Sequence, residues 1–125
     1  MGDIKSYRDL KVWQAGMDIA EACYVLTQDF PKSEVYGIST QIRRSAVSIP
    51  ANIAEGYGRD STGSFVAFLR VSQGSLKELE THMLLCVRLG LGEPESLENL
   101  LARCDELGKM LRALIRSIQS SAEDE

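Results

Sequence analysis

Apolar residues recur at three- and four-residue steps through four successive stretches of this 125-residue chain, and in none do they alternate with polar residues. Steps of three and four place side chains on one face of an α-helix, whereas alternation would mark a half-buried strand. The pattern therefore restricts the chain to packed helices. In the first stretch, predicted to run from Ser6 to Asp29, Leu10, Trp13, Met17, Ala20 and Tyr24 form one stripe, and Val12, Gly16, Ile19, Cys23 and Leu26 form an adjacent one. Together they make a face broader than one bundle core needs. Pro31 then stops the helix.

The second stretch, Ile38 to Arg59, carries Ile38, Ile42, Ser45, Ile49 and Ile53 on an inward face. Gln41, Arg44, Ser48, Asn52, Glu55 and Arg59 make a second, polar row at similar steps. Pro50 lies inside the pattern. A proline there cannot donate to the carbonyl of Ala46 and crowds that turn, at a cost of about 3 kcal/mol, so the sequence predicts a kink with Ser48, Asn52 or another helix relieving the carbonyl. Gly56 and Gly58 are expected to end the helix in the left-handed cap conformation. The run G-Y-G-R-D-S lacks the third glycine of a dinucleotide loop and follows no strand, so it reads as a cap, not a phosphate cradle.

Ser61 is the expected N-cap of a third helix, along which Phe65, Leu69, Ser72, Leu76, Leu79, Met83 and Cys86 follow a coiled-coil-like spacing. Small residues at Ser72, Gly74 and Ser75 suit the close approach of another helix, and Gly90 with Gly92 closes the element. Pro94 opens a fourth, with Leu97, Leu100, Cys104, Leu107, Leu111, Leu114 and Ile118 on its seam. Four long helices joined by short loops predict an all-α, antiparallel up-down four-helix bundle over residues 1–120, followed by an acidic disordered tail over 121–125.

Charge and cysteine usage narrow the function classes. The chain is net −4, yet residues 31–92 carry seven basic and five acidic groups, and the acidic excess sits at the two ends. That balance argues against indiscriminate nucleic-acid binding while leaving room for a local basic face. The longest uncharged run, Ser45 to Ala54, is ten residues, about half a membrane span. The first ten residues contain no signal-like apolar core, and cysteines at 23, 86 and 104 form no even disulfide framework. A cytoplasmic chain with reduced thiols, away from any membrane, is expected.

No catalytic constellation emerges. His82 is the only histidine, and with Cys86 one turn away it supplies two ligands, too few for zinc, so no metal and no cofactor are expected. The three cysteines fall on apolar stripes, where a free thiol behaves as a small hydrophobe. Glu78 and Glu80 lie near the small-residue patch, and Glu55 is a candidate to face them. Paired carboxylates can do acid and base work, but here ion pairing to Arg43 or Arg44, fixing helix register, is the expected role. The polar row on helix two, with Arg43 and Glu78, is thus read as a paired network holding the bundle or a subunit contact.

Three blocks carry a resemblance. SYRDLKVWQ, LTQDFPKSEVYGISTQIRRSAVSIPANIAEGYGR and FLRVSQGSLKELET are similar to the four-helix-bundle family named after proteins encoded in intervening sequences of bacterial large-subunit ribosomal RNA genes, the ribosomal intervening-sequence protein family. In the most specific block Gln41, Arg43, Arg44, Ser48, Pro50, Asn52, Glu55, Gly56, Gly58 and Arg59 stand where the family pattern has them. The resemblance extends as far as Leu89. It implies a subunit of a five-membered ring, with no established enzyme activity and a ribosomal label that rests on gene location. The family is also similar to the accessory protein of diversity-generating retroelements, whose basic ring is thought to bind nucleic acid; this chain departs from it in being net acidic.

Two functions are carried forward. One is a non-enzymatic, homo-oligomeric interaction scaffold, a pentamer, with another protein as partner. The other is an RNA or nucleic-acid-binding accessory protein, with Arg43, Arg44, Tyr57 and Arg59 as candidate contacts and Tyr57 placed to stack on a base or, more simply, to pack at the helix end.

Overall fold

The computed structural model describes residues 3–123 and contains, among them, four α-helices and no strand. They are α1 (Lys11–Gln28), α2 (Ile38–Tyr57), α3 (Thr62–Leu89) and α4 (Pro94–Glu123). Each packs against its neighbours in the chain, and α4 returns to α1, which closes a four-helix bundle. Contacts between α2 and α3 fall in reverse order along the two helices. Ser48 meets Ser75, Ser72 meets Ile49, and Gly56 abuts Phe65 and Phe68.

The predicted inward faces are buried. Val12, Ile19, Cys23 and Leu26 on α1 meet Ile42, Ile49 and Ile53 on α2, Leu69, Leu76, Leu79 and Met83 on α3, and Leu97, Leu100, Cys104, Leu107 and Leu111 on α4 in one core. Near the end of α4 the buried position is Ile115, and Leu114 and Ile118 lie at the margin. Over 30 residues a 3.6-residue helix drifts away from a strict heptad seam.

Several boundaries differ from the sequence reading for identifiable reasons. The helix expected from Ser6 begins at Lys11, because Tyr7–Asp9 forms a separate 3-10 turn and Leu10 (φ −74°, ψ 127°) leaves helical geometry. Asp9 draws the chain into that turn by accepting from the amides of Lys5 (2.9 Å) and Ser6 (3.1 Å), while the Tyr7 ring packs edge-on against Trp13. At the other terminus α4 continues through Glu123, inside the stretch expected to be a tail, since Ala and Glu are good helix formers and no breaker intervenes. Asp124 and Glu125 lie outside the described residues.

The glycines of α2 also behave differently. Gly58 caps the helix in the right-handed region (φ −78°), and among the described residues only Gly90 (φ 71°) and Gly92 (φ 81°) have positive φ. Gly56 is buried inside the last turn, where a Cβ would stand 2.6 Å from Phe68 Cβ and 3.1 Å from Phe65 Cδ1. Its role is close approach, not a left-handed cap. Ser61 does cap α3, its Oγ accepting from the Ser64 amide at 3.0 Å.

Candidate functional site

The polar row of α2 is split by its neighbours into three parts. Toward α1, Arg43 donates from Nε to Thr27 Oγ1 at 2.8 Å, and its guanidinium lies 4.5 Å from the centroid of the Tyr24 ring. Thr27 Oγ1 in turn donates to the Cys23 carbonyl at 2.8 Å. Here a charge-assisted hydrogen bond and a cation–π contact hold the same side chain, which ties α2 to α1.

Toward α3, Ser48 Oγ and Ser75 Oγ share a hydrogen bond of 2.8 Å, and Asn52 Nδ2 donates to Ser48 Oγ (2.9 Å) and to the Ser48 carbonyl (2.8 Å). Ser72 Oγ, fully buried, donates to the Ile49 carbonyl at 2.9 Å. The side chains expected to relieve the Ala46 carbonyl thus bond other carbonyls, those of Ser48 and Ile49, on the turn that carries Pro50. Ser72 and Ser75 serve contact within the subunit, while Gly74 faces open space.

The third part is solvent-facing. Glu55 and Arg59 bridge at 2.9 Å with both side chains about half exposed, and Arg59 also lies over the Phe68 ring at 4.9 Å. Gln41 and Arg44 are exposed, and neither side chain is hydrogen-bonded or ion-paired among the described residues. Glu78 does not join the row. It stands 3.6 Å from His82 Nε2 on its own helix. The Ser48–Ser75 contact explains why Glu55 cannot face it. From that contact Glu55 lies seven residues up α2 and Glu78 three residues the opposite way on antiparallel α3, about 15 Å apart at 1.5 Å per residue. Tyr57 packs edge-on against Phe65 with ring centroids 5.9 Å apart, the helix-end role.

The titratable groups of the interior are placed for packing. Burial pushes the Cys23 and Cys104 thiols from 9.0 up to about 12. Cys86 is also raised, first by burial and then by the charge of Glu34. Such thiols are poor nucleophiles because the reactive thiolate is suppressed. No group of three or more His, Cys, Asp and Glu side chains among the described residues is arranged to hold a metal ion. Nor is any helix among them long and apolar enough to cross a membrane.

What remains is a surface. The outer stripe of α1 is only partly covered, leaving Met17 (45% exposed) and Tyr24 (44%) beside Val47 of α2 (44%). With Trp13, Ala20 and Pro50 they line a hollow of about 680 Å³ whose only charged walls are Asp18 and Glu21. The register of α1 against α2, invisible in either helix alone, brings Val47 and Pro50 to this hollow and Thr27 and Tyr24 to Arg43.

The four-helix bundle has known counterparts. The sequence pattern of the 23S rRNA-intervening sequence protein family matches residues 8–113. The chain belongs to that family. Its fold is similar to a crystal structure of a protein with unknown function from the S23 ribosomal protein family of Bacteroides thetaiotaomicron, with 25% sequence identity over 83% of this chain and 97% of that one and a TM-score of 0.75. No curated protein matches the chain. That Bacteroides thetaiotaomicron structure, similar to this member of the 23S rRNA-intervening sequence protein family, is itself described as of a protein with unknown function.

Proposed function

We propose that this chain is a non-enzymatic interaction protein that assembles with copies of itself, with a pentamer as the expected state, and presents the assembly as a cytoplasmic scaffold. The observation that carries this reading is the uncovered apolar hollow of α1 and α2, where Met17, Tyr24 and Val47 stay open to solvent outside the bundle core, beside the half-buried Trp13. Monomeric proteins rarely leave contiguous apolar patches beyond a few hundred Å². The three free, buried thiols support a reducing compartment. Light scattering coupled to size-exclusion chromatography at micromolar concentration tests the reading, and a monomer across that range overturns it.

The nucleic-acid alternative draws on Arg44, which is exposed and free of ion pairs among the described residues. Its other candidates are engaged, Arg43 by Thr27 and Tyr24, Arg59 by Glu55 and Tyr57 by Phe65. Filter binding of structured and single-stranded RNA at low salt tests it. Salt-sensitive retention lost in Arg44→Glu supports a phosphate-contacting role, and no retention at tens of micromolar protein leaves the scaffold reading alone.

A further inference from the structure

We infer that the α1–α2 hollow is the receptor for the C-terminal end of α3 from a second copy of the chain, so that assembly is head to tail. The inference rests on the assembly reading above and specifies which surfaces meet. The last two turns of α3 expose Leu84 (54%), Leu85 (44%) and Leu89 (60%), with Arg88 among them. Spacings of Leu84 to Arg88, Leu85 to Arg88 and Leu85 to Leu89 are three or four residues, so the four side chains share one outward face, opposite the buried Met83 and Cys86.

Three properties match this face to the hollow. The first is shape, for a helix face bearing leucines is a ridge, and the hollow between α1 and α2 is a groove of about 680 Å³. A groove cannot fill a second copy of itself, which argues against a symmetric contact of hollow with hollow. The second is charge. The hollow carries only carboxylates, Asp18 and Glu21, and the ridge carries only a cation, Arg88; none of the three takes part in an ion pair among the described residues. The third is polarity, since both surfaces are predominantly apolar, with Met17, Tyr24 and Val47 exposed on one and three leucines on the other. The two surfaces belong to different helices of one chain, so each copy offers one groove and one ridge. Repetition of such a contact gives a ring where the rotation closes.

Two exposed-site variants break the two halves separately. Met17→Lys places a cation in the groove against Arg88, and the double variant Leu85→Gln with Leu89→Gln removes the ridge; far-UV circular dichroism checks that both remain folded. Each alone is expected to be a monomer by light scattering. Mixed in equal amounts they are expected to form a one-to-one dimer and nothing larger, because one intact groove meets one intact ridge. An assembly that survives in either variant overturns the pairing while leaving self-assembly in place. Loss with Met17→Lys but not with the ridge variant assigns the groove to another occupant and also overturns it. A parent chain that is itself monomeric removes both this inference and the reading beneath it.

Discussion

Replacing Gly56 by alanine should destabilise the bundle, although the same change in an ordinary helix stabilises it. An alanine Cβ at this position would stand 2.6 Å from Phe68 Cβ, 3.1 Å from Phe65 Cδ1 and 3.3 Å from the Phe65 carbonyl oxygen. Carbon atoms pack comfortably at about 3.5 to 4.0 Å, so α2 and α3 must part by roughly 1 Å. Phe68 Cβ is fixed to its backbone and cannot swing aside as a side-chain tip would. Overpacking of this kind costs about 1 to 3 kcal/mol, and the better helix propensity of alanine returns up to about 1 kcal/mol. The net expectation is a loss of about 1 to 2 kcal/mol, or a fall in melting temperature of roughly 3 to 10 °C for a chain of this size. Gly74 is the internal control. It lies in the middle of α3, is exposed, and would give an added Cβ no neighbour within 4 Å, so Gly74→Ala should gain up to about 1 kcal/mol. Thermal and urea unfolding of both variants and the parent, at one protomer concentration, measures the difference. The reasoning is refuted if Gly56→Ala melts at or above the parent, or if both variants shift in the same direction.

Arg43→Ala should cost about 1 to 3 kcal/mol in urea unfolding through the lost bond to Thr27 Oγ1 and the lost stacking on Tyr24, and Arg43→Lys should recover little of it, because a lysine offers neither the Nε donor nor the planar face. Glu55→Ala should change stability by less than about 0.5 kcal/mol, since its bridge to Arg59 is exposed and spans one helical turn; a loss near 3 kcal/mol in the same assay would mean that the pair is buried in the assembly. Thiol titration with a chromogenic disulfide at pH 8 should find Cys23 and Cys104 unreactive in the folded protein and all three cysteines reactive in denaturant. Because folding raises these two thiols from 9.0 to about 12, their contribution to stability is complete below about pH 9 and is lost as pH rises toward 12, so the melting temperature should fall across that window.

The four helices were legible because periodicity is a property of each helix by itself. The buried seam of α3 from Leu69 to Cys86 and that of α4 from Leu97 to Leu111 are read directly from spacing. The helix starts at Ser61 and Pro94 follow equally from local chemistry, a side-chain cap and a fixed φ. What failed to be legible depends on two helices at once. Gly56 looked like a cap because its neighbours Phe65 and Phe68 come from α3. Glu78 was placed with the polar row because the spacing of α2 says nothing about its register on α3. Thr27 is not legible in the sequence because an isolated threonine near a helix end carries no signal until Arg43 lies beside it. In the same way the hollow needed Val47 and Pro50 to be set against Met17 and Tyr24. The excess breadth of the apolar face of α1 was visible in the sequence, and its exposed part is the surface on which the proposed assembly rests.

Joined through Gly56, the Ser48–Ser75 pair and the bond of Ser72 to the Ile49 carbonyl, α2 and α3 are the most extensively joined neighbours in the bundle, and only residues 58–61 connect them. Closing so short a connection carries little entropic cost. The hairpin can therefore organise ahead of the return of α4 to α1, which joins the two most distant parts of the sequence. Substitutions such as Ser72→Ala would then slow refolding, whereas those between α1 and α4 would act chiefly by hastening unfolding. Hydroxyl groups that look like concessions in an apolar core thereby tie together a pair of helices that can form before the bundle closes.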